Sequence, residues 1–311
     1  MADMTKIDNR SEQAEKMDVA HPYKSRFDFF DFIVDFRTDV EKMNVFTEDS
    51  YRAFVYNGDR KADLTCYVKC DRKDLGKSEY KELMLDQTHF AFKYRDAVDT
   101  SNSRTRVFPP FAFEPLRHRF FELHAGSVSL DEKGIVLIGV SGRGKTTLTV
   151  ALVRNGYKLL SEDITPIDMR DVTLECFPQA AGIRKDTAEI FPEMKNHIKE
   201  SSYFTDLDGK EVSLVDLRDV YGDCLGRRSL PSYIFFIERK PGGSVALREV
   251  RKGQAVVSLL SNAVAYYPQD LHQIIDALTR LARHAECYSL EYGEAQEAVD
   301  YISSIVKKEK T

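Results

Sequence analysis

One stretch of the chain concentrates the residue types that bind an anion. Gly139-Val140-Ser141-Gly142-Arg143-Gly144-Lys145-Thr146 fits the pattern G-x-x-x-x-G-K-[ST], with Thr147 directly after it. Glycines let the backbone turn tightly, so that several N–H groups face one phosphate. A helix starting at the end of the loop adds its partial positive charge. Lys145 would bridge the outer phosphates, and the Thr146 hydroxyl would ligate Mg²⁺. The nucleotide-binding candidates are therefore Gly139, Ser141, Gly142, Arg143, Gly144, Lys145, Thr146 and Thr147. An ordinary glycine turn between strand and helix is the competing account, but a chance match is on the order of one in a hundred for a chain this long.

Moving a phosphoryl group to a hydroxyl also needs carboxylates, one for the metal and one for the proton. Glu162 and Asp163 follow the strand-like run Lys158 to Ser161. That places them at a strand's carboxyl end, on the edge where open α/β sheets bind ligands. A helix cap or a solvated turn would use the same pair. His124 opens another strand-like run; charged it would stabilise phosphate oxygens, neutral it would assist proton transfer. Taken alone, it reads as readily as a hydrogen-bonded structural histidine. Arg184 and Lys185, after the loop-like Gln179 to Gly182, are candidates to clamp a phosphate or a carboxylate. Arg227-Arg228 reads as surface charge.

These residues need a strand, a turn, a helix and another strand to position them. Gly134 to Val140 is an apolar run that stops at the loop, and Thr146 to Asn155 has helical periodicity. Lys158 to Ser161 and Ile164 to Ile167 read as strands, as does Phe121 to Leu130, with a short helix expected over 111–121. Helices are expected over 253–264, 269–285 and 294–308, the last ending in Lys307, Lys308 and Lys310. Between them, 232–238 and 287–291 look like strands. Before Pro109-Pro110, short aromatic and β-branched runs at 27–36, 51–56, 64–68 and 89–94 are separated by turn signals at 57–58, 71–76 and 99–102. The expected layout is a flexible tail over 1–25, a β-rich region over 26–108, and an α/β domain over 109–311.

Bulk composition narrows the classes. With 42% apolar and 31% charged residues in 311, a globular core can form. The net charge of −5 gives no reason to expect nucleic acid as a partner. No stretch approaches the roughly 18 to 20 apolar residues that span a bilayer, and Met1 to Met17 lacks the apolar core of a signal peptide. Cys66, Cys70, Cys176, Cys224 and Cys287 are odd in number and scattered, which suits reduced structural thiols and a cytoplasmic location.

His124-Ala125-Gly126, the loop Gly139 to Thr146, and Asn155-Gly156-Tyr157-Lys158-Leu159-Leu160-Ser161-Glu162-Asp163 together resemble the core of the HPr kinase/phosphorylase family. That family carries a His-x-Gly, a G-x-S-G-x-G-K-S loop and an R/N-G-x-x-L-x-x-D-D segment at similar spacing. The resemblance runs from His124 to Asp163, with a looser continuation through the C-terminal third. It implies an α/β fold with a PEP-carboxykinase-like P-loop domain, acting as a Mg·ATP-dependent serine kinase. By position, Lys145 is the phosphate-binding lysine, Thr146 and Asp163 belong with the metal, and His124 stands beside the phosphates. Glu162 or Asp163 would serve as base.

Three departures bear on the substrate. Glu162 stands where the family has Asp, Thr147 where it usually has Glu, and no glycine-rich signature follows the acids. In this the chain is more similar to shorter HPr-kinase-related proteins, some of which phosphorylate the C-terminal serine of a lasso-peptide precursor. A peptide serine is thus the implied acceptor. HPr or a small hydroxyl-bearing metabolite is the alternative, and a nucleotide-binding regulatory module without turnover is a third reading. Members of that family assemble into oligomers, which leaves a homo-oligomer open by resemblance, while no residue pattern in the sequence predicts an interface. The loop reads phosphates and not the base, leaving ATP against GTP open.

Overall fold

The computed structural model describes residues 16–70, 80–85, 110–112, 114–140, 142–198, 203–205, 211–265 and 268–307. The run expected as a strand over 89–94, the turns over 71–76 and 99–102, residues 1–15 of the expected tail, Pro109, Ser141, Lys308 and Lys310 lie outside them. The chain divides into two compact units, one of residues 1–109 and 198–214, the other of residues 110–197 and 215–311.

In the first unit, residues 16–20 are helical and β1 (Tyr23–Phe29) begins soon after. It pairs antiparallel with β2 (Phe32–Thr38) across Phe30 and Asp31. Phe27, Phe29, Ile33, Val34 and Phe36 are fully buried. The region is not wholly β: a helix, α1 (Glu41–Ser50), buries Met43 and Phe46. It carries the chain over to β3 (Leu64–Cys70), which lies parallel to β2, as such crossovers require. β4 (Tyr80–Leu85) pairs antiparallel with β3. The run expected as a strand over 51–56 is instead a 3₁₀ turn at Arg52–Phe54. Its first aromatic explains the difference, because Tyr51 packs edge-on against Phe27 and Phe29 rather than alternating along a ladder.

The second unit is a mixed α/β structure. A 3₁₀ turn at Pro110–Ala112 and a short helix, α2 (Glu114–Arg117), take the place of the single helix expected over 111–121. The long β5 (Phe120–Leu130) turns into β6 (Lys133–Ile138), which ends at the glycine loop and gives way to α3 (Lys145–Arg154). β7 (Lys158–Ser161) pairs with the second half of β5 and β8 (Ile164–Asp168) with its first half. β9 (Ala181–Arg184) and α4 (Lys185–Ile190) follow. The chain then passes through the first unit, to which the antiparallel pair β10 (Tyr203–Thr205) and β11 (Glu211–Val215) belongs up to Leu214, and returns at Val215. The rest runs α5 (Leu217–Tyr221), β12 (Leu230–Arg239), β13 (Ala246–Glu249), α6 (Lys252–Leu260), β14 (Ala263–Val264), α7 (Leu271–His284), β15 (Glu286–Tyr292) and α8 (Ala295–Val306).

The main sheet has the order β13-β15-β12-β6-β5-β14. β6, β12 and β15 are parallel, so their carboxyl ends share one edge. Alternation along each strand serves two helical layers. Leu123, Ala125, Val136, Ile138 and Ile234 pack with Ala255, Leu259, Ile274, Leu278 and Leu281 of α6 and α7. Gly126, one step along β5, faces Thr149 of α3 instead, and α8 packs on α3. The helix expected over 253–264 stops at Leu260 because Ala263 and Val264 pair with β5. Among the described residues no helix is long and apolar enough to cross a membrane. Cys66, Cys224 and Cys287 are buried free thiols, and Cys176 is a half-buried one.

Candidate active site

The loop after β6 is held in the shape its glycines allow. Gly142 and Gly144 have φ of 77° and 94°, the left-handed region that favours glycine. The Arg143 N–H closes a turn onto the Val140 carbonyl at 3.1 Å. Gly144 caps α3, and its carbonyl accepts the Leu148 N–H at 2.9 Å. Lys145 folds back along the loop and donates to the Gly139 carbonyl at 2.8 Å. Its side chain is buried, which pushes the ammonium down from its ordinary range, while the charges of Asp163 and Glu162 pull it back up. Thr147 is buried on the first turn of α3, and Arg143 is exposed with its guanidinium 3.6 Å from Glu238.

Register brings the acids and the histidine to this loop. Ala125 is opposite Ile138, so His124 stands level with the start of the loop. On its other side His124 is opposite Ile164, the residue after Asp163. His124 Nε2 lies 3.0 Å from Asp163 Oδ1, both side chains being a little over one-third exposed. The link carrying the two acids is pinned on both flanks. The Ser161 hydroxyl bonds the Ile164 carbonyl, and the Thr165 hydroxyl reaches the Ala125 carbonyl at 2.9 Å. Gly126 completes the arrangement by close approach: a Cβ there would overlap Thr149 Oγ1 and stand 3.0 Å from the Glu162 carbonyl oxygen.

The two acids differ in environment. Glu162 is only 4% exposed. Burial, with the neighbouring charge of Asp163, pushes its carboxyl up to about 7, against hydrogen bonds from the Thr146 hydroxyl and the Gly182 N–H and the charge of Lys145. Glu162 thus ties Thr146, Lys145 and β9 together. The Thr146 hydroxyl and the two carboxylates are hard oxygen donors, a set that suits Mg²⁺ better than a soft ion.

Not every candidate comes to the loop. Arg184 does: its Nη1 is 3.7 Å from where a Cβ on Gly142 would stand. Lys185 is exposed on the first turn of α4. Arg228 belongs to a separate network, 2.8 Å from Glu175, 3.6 Å from the buried Asp168, and paired with Asp171. Asp168 is opposite Phe120, at the far end of the β5–β8 ladder from His124. Two contributors went unread in the sequence. The Gly182 N–H acts through its backbone, and Tyr292, at the end of β15, donates its hydroxyl to the Gly144 carbonyl at 3.1 Å. Neither carries a local signal.

No protein-family model and no curated protein sequence matches the chain. Among solved structures it is similar to the HPr(Ser) kinase/phosphatase from Coxiella burnetii, at 12% identity and a TM-score of 0.30, over 61% of this chain and 95% of that one.

Proposed function

We propose that the chain is a Mg·ATP-dependent kinase that transfers the γ-phosphoryl group to a serine hydroxyl, most directly that of a peptide. The observation that supports this reading is the convergence of Lys145, Glu162 and the His124–Asp163 pair on one glycine loop. In this reading the loop N–H groups and Lys145 hold the phosphates, with Arg184 closing on them from β9. Thr146, its hydroxyl held by Glu162, would ligate Mg²⁺, whose charge neutralises the phosphates during transfer.

The acids divide the work by exposure. Glu162, buried and accepting from the Thr146 hydroxyl, fixes that hydroxyl with its lone pairs turned outward. Asp163, accessible and steadied by His124, takes the proton from the acceptor hydroxyl. The serine Oγ–phosphorus bond forms as the bond to the bridging oxygen breaks, and the negative charge leaves on ADP. A serine-ended peptide of the lasso-precursor type is the acceptor class suggested by the motif resemblance. HPr and small hydroxyl-bearing metabolites share its reacting group.

Mass spectrometry of serine-ended peptides, HPr and a metabolite panel, each incubated with the protein and Mg·ATP, tests the proposal. One added phosphate that disappears in Lys145→Ala is the expected result, and the acceptor that gains it names the substrate class. A second reading, a nucleotide-binding module without turnover, is favoured by the Glu162 carboxyl, which burial and the charge of Asp163 push toward its neutral form. Tight Mg·ATP binding in calorimetry with no product on any acceptor selects that reading.

A further inference from the structure

The carboxyl end of β15 contributes to the loop by a contact that has no part in the chemistry above. Tyr292 is fully buried, and its hydroxyl donates to the Gly144 carbonyl at 3.1 Å. The tyrosine is itself fixed. It lies opposite Arg239 in the parallel β12–β15 ladder, and its carbonyl accepts the Lys240 N–H at 2.7 Å. Gly144 is gripped from this side: a Cβ on it would overlap the Tyr292 hydroxyl and stand 3.3 Å from Arg239 Cβ.

The Gly144 carbonyl therefore takes two hydrogen bonds, one from the Leu148 N–H at 2.9 Å and one from Tyr292. A peptide unit is planar and trans, so its carbonyl and the next N–H point in opposite directions. Fixing the carbonyl of Gly144 toward β15 and the helix thus fixes where the Lys145 N–H points. That N–H is one of the unpaired donors of the first turn of α3, on the side that faces an anion. We propose that Tyr292 is a positioning residue of the phosphate loop, whose hydroxyl orients the Gly144–Lys145 peptide so that the Lys145 N–H faces the bound phosphates. Burial pushes the Tyr292 phenol up from its ordinary range, which keeps it a donor.

The inference rests on the nucleotide reading, and the test separates the two. Calorimetric titration with Mg·ATP compares the wild type, Tyr292→Phe and Tyr157→Phe, each with its ligand-free melting temperature. Tyr157 is an internal control, a buried tyrosine whose hydroxyl bonds Ser303 at 2.9 Å beyond the other end of α3. Tyr292→Phe is expected to weaken Mg·ATP binding about three- to tenfold, the range for one hydrogen bond. Tyr157→Phe is expected to leave affinity unchanged even where it lowers the melting temperature. Equal affinity in Tyr292→Phe and wild type overturns the proposal alone, as does an equal loss in both variants. Absence of binding by the wild type overturns the nucleotide reading and this inference with it.

Discussion

Lys145 is the residue on which the proposed chemistry leans most, and its surroundings say what its loss would do. The ammonium is buried and bonded to the Gly139 carbonyl, with both acids close enough to raise its proton affinity. Removing it leaves those acids facing the phosphates with no cation between them. Lys145→Ala should weaken Mg·ATP binding in calorimetry and lower turnover at least about 100-fold. Asp163 predicts a different pattern. It is half-buried, accessible and paired with His124, so Asp163→Asn should keep nucleotide affinity within a few-fold while turnover falls about 10²- to 10⁴-fold. A parallel loss of binding would argue that Asp163 acts on the nucleotide rather than on the acceptor.

At the scale of elements, the sequence discloses what is local and hides what is folded in from afar. The loop, the helix after it and the strand leading to the acids are contiguous, and their glycines, apolar spacing and charges are legible in order. β6, α3 and β7 fall where that pattern puts them. The contact of Gly182 with Glu162 is a backbone bond, invisible to residue type. Tyr292 is 148 residues from Gly144, and only parallel pairing of β12 and β15 brings it there. α1 was missed because its residues lack a strong apolar stripe, and β14 because two residues of edge pairing ended a helix that the spacing alone would have prolonged.

Gly126 was legible as part of a motif, yet its reason is an element-scale one. α3 and the acid-bearing link both press on β5 at that point. Gly126→Ala should destabilise the unit by about 1–3 kcal/mol through overpacking. The shift in urea midpoint, with an unchanged slope, measures it.

At the scale of the whole molecule, buried carboxyl groups set how stability responds to pH. Glu162 holds its proton in the folded chain up to about 7, above the ordinary 4.5. The folded state then binds more protons than the unfolded one between those values, so stability falls as pH rises through that range. Burial also raises Glu175, with the same sign. Asp168 acts oppositely. Burial pushes its carboxyl up, but hydrogen bonds from Arg170 and Arg119 outweigh this and hold it at about 2. Its contribution is present above its ordinary range and is lost only as pH falls toward 2. The melting temperature should drop as pH rises from 5 to 8, with Glu162 contributing to the loss of stability. Glu162→Gln should remove most of that drop, and an unaltered pH dependence in the variant would count against the assignment.

The bond from Lys145 to the Gly139 carbonyl has a consequence for selectivity. With no anion in place the ammonium is bonded to a neutral oxygen, which an incoming anion would have to displace. A lone phosphate offers one cluster of charge for that exchange, whereas a metal-bound polyphosphate can replace the carbonyl and engage the loop N–H groups at once. On the nucleotide reading the loop would act as a threshold, at which free inorganic phosphate competes poorly with a metal-bound polyphosphate.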